Sequence, residues 1–355
     1  MSKHHTVAII GAGIAGLSCA TALQNAGYKV TIFEKSRGVS GRVSTRVREN
    51  WQCDQGAQYF TARDPLFNVE IQRWLAANVA QLWEPELKVF DGITFSPKLN
   101  DNESNNLRYV GYPRNHSPAK WLAESLNVVT ETTITNIDKS ANQWQLTSKE
   151  YGVNPETFDC VILSIPAPQA AIVLKDSGSR LASLSGAVLM RPCFALMVHF
   201  KQRINCQFDA LFINSGLLSW AARDSSKPGR VKQSSNETDT WLLHASSHWS
   251  AANVDVSKEL VSQLMLAEFM RILECDSNLA ASELSEVRPD EYDLHRWLYA
   301  DCERYLTDVY QFDAAYNIGL CGDWLNGGKV QGAWLSGYKL AQALIDNHGD
   351  IELKC

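Results

Sequence analysis

The chain has 355 residues, of which 45% are hydrophobic, so it can bury a sizeable core and is expected to form two domains or one domain with a large insertion. A formal net charge of −6 argues against nucleic acid as a partner. No apolar run reaches the roughly 18 residues that a membrane span needs, which argues against a membrane protein.

The N-terminus and the cysteines indicate a cellular compartment. The chain passes from MSKHH directly into an apolar run, and this start predicts that there is no signal peptide. Nine scattered cysteines without a C-x-x-C pair favour reduced thiols over a disulfide framework or a zinc site. We therefore expect a cytoplasmic protein.

The first predicted elements are a strand, a glycine-rich turn, a helix and a second strand. Apolar residues 7–10 lead into G-x-G-x-x-G, and the helix after it ends at Gly27. This βαβ pattern is typical of dinucleotide binding, with the diphosphate at the helix N-terminus. The residues of this turn that are predicted to contact the cofactor are Gly11, Gly13, Ile14, Ala15 and Gly16.

An acidic residue ends the second predicted strand. Glu34 follows Gly16 by eighteen residues, a distance at which a carboxylate accepts hydrogen bonds from a ribose hydroxyl. The βαβ unit alone leaves NAD and FAD open, because both dinucleotides carry an adenosine ribose and a pyrophosphate.

The segment after Glu34 distinguishes between these cofactors by a resemblance. EKSRGVSGR resembles the E-K-x-x-x-x-G-G-R pattern of the amine-oxidase-like flavoproteins, in which the arginine lies against the FAD pyrophosphate. Ser40 stands where that pattern has its first glycine, so a local difference in the turn is expected. The resemblance implies FAD contacts from Glu34, Lys35, Gly41 and Arg42, although the residues alone also allow Arg42 to be a solvated loop charge.

Further helices and strands are predicted along the chain. Asp64 is predicted to cap a helix with Pro65 in its first turn, and another helix begins at Ser117. Strands are predicted in ELKVFDGITFSP, in LRYVGYP and in three segments within residues 128–163. RPCFALMVHF and TWLLHASSHWS are β-rich, a polar loop spans 223–239, and a helix is predicted over about 257–274.

Several segments together resemble one branch of the flavoproteins. GAQYFTARD, RYVGYPR, SIPAPQ, TWLLHASSHWS, HRWLYA and CGDW…GAWLSG, in this order, resemble bacterial renalases over nearly the whole chain. The resemblance implies an α/β fold with a Rossmann-like FAD-binding domain and an inserted β-rich (α+β) substrate domain, the amine-oxidase/p-hydroxybenzoate-hydroxylase-like architecture. The FAD-binding domain would comprise residues 1–63, 119–168 and 301–355, and the substrate domain residues 64–118 and 169–300.

The same resemblance assigns cofactor contacts outside the first motif. The turn at residues 56–58 would lie against the flavin ring, and a late glycine-rich loop would bring Asp323 to the pyrophosphate. A helix beginning at Gly332 and Ala333 would direct its positive end towards the flavin. No Cys or His lies between Asp323 and Gly332, which predicts noncovalent FAD. The residues assigned in this way are Ala57, Gln58, Ile134, Asp323, Val330, Gly332 and Ala333.

Aromatic and histidine side chains are the candidates for substrate binding. His295 and Trp297 are two residues apart on a predicted strand and therefore share a face. His244 and His248 lack the helical spacing and the further ligand of a metal site, so no metal is expected. No nucleophile–base pair or carboxylate pair stands out, so no catalytic side chain is assigned. The candidate substrate-binding residues are Gln58, Tyr59, Phe60, Thr61, Cys193, His244, His295 and Trp297.

The renalase resemblance implies a reaction. Hydride would pass from 2- or 6-dihydro isomers of NAD(P)H to FAD, releasing NAD(P)+, and O2 would be reduced to H2O2. An amine or polyamine oxidase is an alternative, which by resemblance would need a lysine close to flavin N5, and the sequence assigns none. A flavin-binding scaffold or sensor without turnover is a third hypothesis.

Overall fold

The computed structural model describes residues 5–97, 107–230, 238–277 and 279–352. Its helices are α1 Ile14–Asn25, α2 Pro65–Ala76, α3 Ser117–Ala123, α4 Ala167–Val173, α5 Leu181–Gly186, α6 Ser247–Ala252, α7 Lys258–Glu274, α8 Ala281–Glu286 and α9 Lys329–Glu352. Its strands are β1 Thr6–Ile10, β2 Lys29–Phe33, β3 Thr45–Val47, β4 Gln52–Asp54, β5 Ala80–Leu82, β6 Leu87–Phe90, β7 Phe95–Pro97, β8 Tyr109–Gly111, β9 Asn127–Val129, β10 Ile134–Ser140, β11 Gln143–Ser148, β12 Gly152–Phe158, β13 Cys160–Leu163, β14 Met190–Phe200, β15 Ala210–Ile213, β16 Leu218–Arg223, β17 Asp239–Ala245, β18 Pro289–Cys302, β19 Gln311–Asp313 and β20 Ile318–Leu320.

A six-stranded sheet is formed by segments that are far apart in the sequence. Its strand order is β19-β20-β13-β1-β2-β9, and its strands are parallel except for β19 at one edge. Residues 7–10 of β1 are buried, and they alternate between two hydrophobic clusters. Burial on both faces explains the continuous apolar run, because parallel sheets are covered by other elements on each side.

Helices α1 and α9 pack closely on one face of this sheet. A Cβ added to Gly337 would lie 1.9 Å from the backbone oxygen of Ala15, so only glycine permits this approach. The Ser18 hydroxyl donates to the backbone oxygen of Trp334 at 2.9 Å. The glycine-rich turn of the first motif is therefore supported by a helix from the other end of the chain.

A seven-stranded, mostly antiparallel sheet forms the second large element. Its order is β18-β14-β17-β16-β15-β6-β7. Phe194 and Leu196 of β14 pack in a cluster with α7, whereas Ala195 and Met197 point to the opposite face, with Trp51. Its strands come from residues 87–97 and 190–302, which lie almost entirely in the predicted substrate domain, but the domain boundaries stay a prediction.

The local elements agree with some sequence predictions and differ from others. Five strands, β9 to β13, lie within residues 127–163, where three strand segments were predicted, and the end of the β-rich segment TWLLHASSHWS forms helix α6. Asp64 accepts a hydrogen bond from the N–H of Leu66 at 2.8 Å and caps α2, as predicted. Helix α9 begins at Lys329, so the predicted start at Gly332 was three residues late. Gly327 and Gly328 have φ angles of 67° and 75°, so the chain turns there and the helix starts directly afterwards.

Another difference concerns the predicted polar loop at residues 223–239. Of this segment the structure describes residues 223–230 and 238–239. Arg223, Asp224, Lys227 and Arg230 are each at most 5% exposed, so this part of the segment is buried and not a solvated loop. The polar composition gave no indication of this burial, because charged residues are rarely buried without partners.

Candidate active site

The first glycine motif forms a cradle that fits a diphosphate. No side chain caps α1, so the first N–H groups of the helix, beginning at Ile14, have no partner within the helix. A Cβ added to Gly13 would meet no atom within 4 Å, whereas one added to Gly16 would lie 2.1 Å from the oxygen of Gly11. Gly13 therefore borders open space, which leaves room for a ligand, and Gly16 permits close packing of the helix on the turn.

Glu34 is fixed beside this cradle. Its side chain accepts hydrogen bonds from the N–H of Ala12 and the N–H of Ser36, both at 2.8 Å. Each carboxylate oxygen keeps a second lone pair, which is available to a ribose hydroxyl. Lys35 is exposed next to it.

The turn that contains Ser40 adopts a conformation that favours glycine. Ser40 has a φ of 125°, a backbone conformation that favours glycine, and its N–H donates to the oxygen of Ala12 at 3.0 Å. An ideal Cβ on Gly41 would lie 3.4 Å from the Cα of Gly13. The second turn thus lies directly against the cradle.

Arg42 and Asp323 form an ion pair that joins the early and late motifs. Arg42 donates to both carboxylate oxygens of Asp323 and, at 3.0 Å, to the backbone oxygen of Ala300. Burial lowers the pKa of Arg42, but Asp323 outweighs this effect, so the pKa is raised and the guanidinium stays charged. Arg42 is therefore not a solvated loop charge, and a bound diphosphate would share it with Asp323.

The rest of the late loop is packed tightly. A Cβ added to Gly332 would lie 2.2 Å from the oxygen of Asn326. Val330 is buried in the same hydrophobic cluster as α1, with Ala333 packed at its edge, whereas Ile134 belongs to the cluster on the other face of the six-stranded sheet. Direct cofactor contacts from these residues stay predictions.

The turn predicted to face the flavin is held by the backbone of its neighbours. Ala57 donates to the oxygen of Arg42 at 2.9 Å, and its own oxygen accepts from the side-chain amide of Asn115 at 2.5 Å. Within the described ranges, the backbone N–H groups of Gln58 and Tyr59 have no hydrogen-bond acceptor. These two amides remain available to a ligand.

The register of the seven-stranded sheet brings four predicted residues together. Ala195 is opposite His244 on one side and His295 on the other, and Cys193 is opposite Trp297. Directly opposed residues project from the same face of a sheet, so these side chains share one surface, which we call the histidine face. Trp297 connects this face to the 56–58 turn, because its Nε1 donates to the oxygen of Gln55 at 2.8 Å.

Both histidines of this face are neutral at pH 7. Burial lowers the pKa of His244 to about 4, with Lys227 adding to the effect and the backbone of Gln55 opposing it. Burial and Arg46 lower the pKa of His295 to about 4. The Nε2 atom of His244 is shielded from solvent and has no hydrogen-bond partner among the residues that the structure describes, so it remains available to a ligand.

Consecutive aromatic residues of the turn point to different environments. The Tyr59 ring lies 5.8 Å from that of Trp220, which is opposite His244, so Tyr59 borders the histidine face. Phe60 is 3% exposed and packs edge-on against Trp74, so it is a core residue that the fold does not bring to this face. Thr61 is partly exposed beyond it.

A buried ion cluster behind the turn was missed by the sequence analysis. Lys227 and Arg230 lie among Asp54 and Asp224, with all four side chains at most 2% exposed. Lys227 also donates to the side-chain oxygen of Gln58 at 3.1 Å. The available signal was the alternation of opposite charges in RDSSKPGR, combined with an acidic residue in the short strand QCD.

In the described part of the chain, no group of three or more His, Cys, Asp or Glu side chains could hold a metal ion. None of the helices in this part has the length and apolar character needed to cross a bilayer.

Comparison with known proteins finds a Rossmann-like domain and partial matches to oxidases. The family model for an NAD(P)-binding Rossmann-like domain matches residues 9–70. An L-amino-acid oxidase of Siganus canaliculatus is 38% identical over 86 residues, which are 24% of this chain and 15% of that protein. The L-amino acid oxidase Cdc18 of Crotalus durissus cumanensis is 30% identical over 156 residues, 42% and 31% of the two chains. The chain thus spans less than a third of these relatives.

Solved structures resemble the whole chain at low identity. Cyclohexylamine oxidase from Brevibacterium oxydans IH-35A has a TM-score of 0.71 and 11% identity, covering 98% of this chain and 100% of that one. Wild-type putrescine oxidase bound to putrescine has a TM-score of 0.64 and 12% identity, covering 97% and 99%. The matched Rossmann-like domain and the diphosphate cradle support a dinucleotide cofactor. The chain therefore has the fold of these amine oxidases, built on a Rossmann-like dinucleotide-binding unit, as predicted.

Proposed function

We propose that the protein is an FAD-dependent oxidase that converts 2- or 6-dihydro isomers of NAD(P)H to NAD(P)+ and reduces O2 to H2O2. The observation that carries the proposal is the histidine face, where two neutral imidazoles and the Trp297 ring adjoin the 56–58 turn. A planar, uncharged reacting ring suits such a surface.

The cradle supports FAD as the cofactor on the chemistry of its donors. The uncapped start of α1 and the Arg42–Asp323 pair would hold the diphosphate, and Glu34 the adenosine ribose. The backbone amides of Gln58 and Tyr59 would donate to the isoalloxazine ring, because neither has an acceptor among the residues that the structure describes. When bound, FAD supplies the hydride acceptor and the route for electrons to O2.

The residues of the chain would bind and orient the substrate. A dihydropyridine gains aromaticity when it loses hydride, so no side chain needs to remove a proton first. His244 can form a hydrogen bond with the substrate through Nε2 while its imidazole stays neutral. The ring of Trp297, whose centroid is 4.2 Å from that of His295, provides an aromatic surface for stacking.

The amine-oxidase alternative receives less support from the site. Lys227 is the lysine that contacts the turn, and its ammonium group already donates to Asp54, Asp224 and Gln58 at 2.8–3.1 Å. An ammonium group has three donors, so none remains for a water or substrate at the flavin. The fold shared with amine oxidases still makes amines the necessary comparison.

Rapid mixing of substrates with the oxidised protein tests the proposal. The purified protein should show the visible spectrum of bound flavin, and anaerobic mixing should compare dihydronicotinamide isomers with ordinary NADH, amines and L-amino acids. We expect the flavin to be bleached rapidly by the isomers only. Bleaching by amines or amino acids but not by the isomers would refute the proposal, and bleaching by none would favour a scaffold or sensor.

A further inference from the structure

The ion cluster behind the turn is balanced in charge and closed to solvent. Lys227 donates to Asp54 at 3.0 Å and to Asp224 at 2.8 Å, and Arg230 donates to Asp54. Burial lowers the pKa of Lys227, but the two carboxylates raise it more, so the ammonium group stays charged. Two positive charges thus face two negative ones.

The third N–H of the Lys227 ammonium group points away from the aspartates and towards the turn. It donates to the side-chain oxygen of Gln58 at 3.1 Å. The amide nitrogen of Gln58 donates to the backbone oxygens of Asp54 at 2.7 Å and Gly56 at 3.0 Å. The Gln58 side chain is therefore folded back onto its own turn. The bond from Lys227 fixes the orientation of the amide, with its oxygen towards Lys227 and its nitrogen towards the backbone of the turn.

A second contact links Lys227 to the same turn. Its Nζ lies 5.5 Å from the centroid of the Trp83 ring, in cation–π geometry. Trp83 in turn packs against Tyr59, with the ring centroids 6.2 Å apart. Lys227 thus supports both residues whose backbone amides lack acceptors in the described protein.

We propose that Lys227 is a positioning residue that fixes the 56–58 turn, through Gln58, in the conformation that binds the cofactor ring. The inference rests on the proposed FAD site, but it concerns cofactor binding and not the identity of the substrate. It also accounts for a lysine at this buried position, since the two aspartates need only charge balance, whereas the turn needs a directed donor.

A balanced pair of substitutions separates positioning from charge. Lys227→Met combined with Asp224→Asn removes one positive and one negative charge, so Asp54 and Arg230 remain paired. Gln58→Leu removes the acceptor and leaves the bonds of Lys227 to both aspartates intact. The matched control is Arg223→Met with Asp239→Asn, which neutralises a neighbouring buried pair, 2.6 Å apart, in the same way.

The readouts are FAD affinity, measured by titrating the apo-protein, and the visible spectrum and reduction potential of the bound flavin. The double variant Lys227→Met, Asp224→Asn should bind FAD about tenfold more weakly or worse, the size expected for a lost charged hydrogen bond. The visible spectrum or the reduction potential of the bound flavin should also shift. In the Gln58→Leu background the same pair should have little further effect. The control pair should lower the melting temperature and leave FAD affinity and spectrum unchanged.

Other outcomes overturn the inference. If the double variant Lys227→Met, Asp224→Asn keeps the wild-type FAD affinity and flavin spectrum, the role of Lys227 is purely structural. If its effect on FAD affinity adds to that of Gln58→Leu, Lys227 does not act through Gln58. If the balanced pair does not fold, wild-type FAD affinity in Gln58→Leu alone overturns it. A wild-type protein that binds FAD but oxidises no dihydronicotinamide refutes only the proposed substrate, and one that binds no FAD overturns both proposals.

Discussion

Replacement of Gly13 by alanine tests the diphosphate cradle, because an added Cβ would meet no protein atom within 4 Å. Gly13 has φ −78° and ψ 177°, which alanine adopts without strain. In the apo-protein the substitution should therefore be neutral or stabilise the fold by about 0.4–1 kcal/mol through the unfolded state. The cost should be seen only when the cofactor occupies that space.

The size of that cost follows from overpacking. A methyl group pressed against a bound diphosphate should cost about 1–3 kcal/mol, which is roughly a fivefold to 150-fold rise in the dissociation constant for FAD. Gly16→Ala is the matched control, because its Cβ would lie 2.1 Å from the oxygen of Gly11 and 2.7 Å from the Ser164 hydroxyl. That variant should be destabilised with or without cofactor.

Two measurements separate the variants. Thermal melting of the apo-proteins should give an unchanged or higher melting temperature for Gly13→Ala and a lower one for Gly16→Ala. Titration with FAD, followed by quenching of flavin fluorescence, should show weaker binding by Gly13→Ala. Unchanged affinity in this variant would mean that the diphosphate does not approach Gly13, and the cradle would have been assigned to the wrong loop.

Three further predictions concern the histidine face and the cofactor. Trp297→Ala should slow flavin reduction while FAD stays bound, measured by anaerobic stopped flow; loss of FAD would assign this residue to the cofactor instead. The folded pKa of His244 and His295 is lowered to about 4, so the unfolded chain binds protons that the folded protein does not as the pH falls from about 6.5 towards 4. The free energy of unfolding should therefore decrease over that window, as urea titrations at pH 7 and pH 5 would measure. In His244→Gln the decrease between these two pH values should be smaller than in the wild type. An equal decrease in both proteins would contradict the lowered pKa. FAD should be released on denaturation, and flavin that stayed with the chain in a denaturing gel would contradict noncovalent binding.

The sequence predicted the parts of the fold that local signals determine. The glycines, the apolar run and Glu34 lie within thirty residues. Their spacing predicts both the βαβ unit and the end of this unit at which a ligand would bind. The cap at Asp64 is similarly local. The contact of Arg42 with Asp323 spans 281 residues, and only the resemblance to known flavoproteins anticipated that the two motifs form one site.

Features that depend on long-range pairing were beyond sequence reasoning. The alternation of a strand places His295 and Trp297 on one face, but the alignment of Cys193 with Trp297 depends on how β14 and β18 pair. Tyr59 and Phe60 look equivalent in sequence, and the fold alone decides which ring enters the core. The burial of Lys227 depends on Asp54, 173 residues away.

The close contact of α1 with α9 has a consequence for biosynthesis. Ala15 and Gly337 are separated by about 320 residues, and their helices touch through a glycine that admits no side chain. At about 5–20 residues per second, a ribosome needs roughly 15–60 s to make the chain between them. The first motif therefore lacks its supporting helix until roughly 320 further residues have been made, and cofactor binding is expected to follow the synthesis of α9.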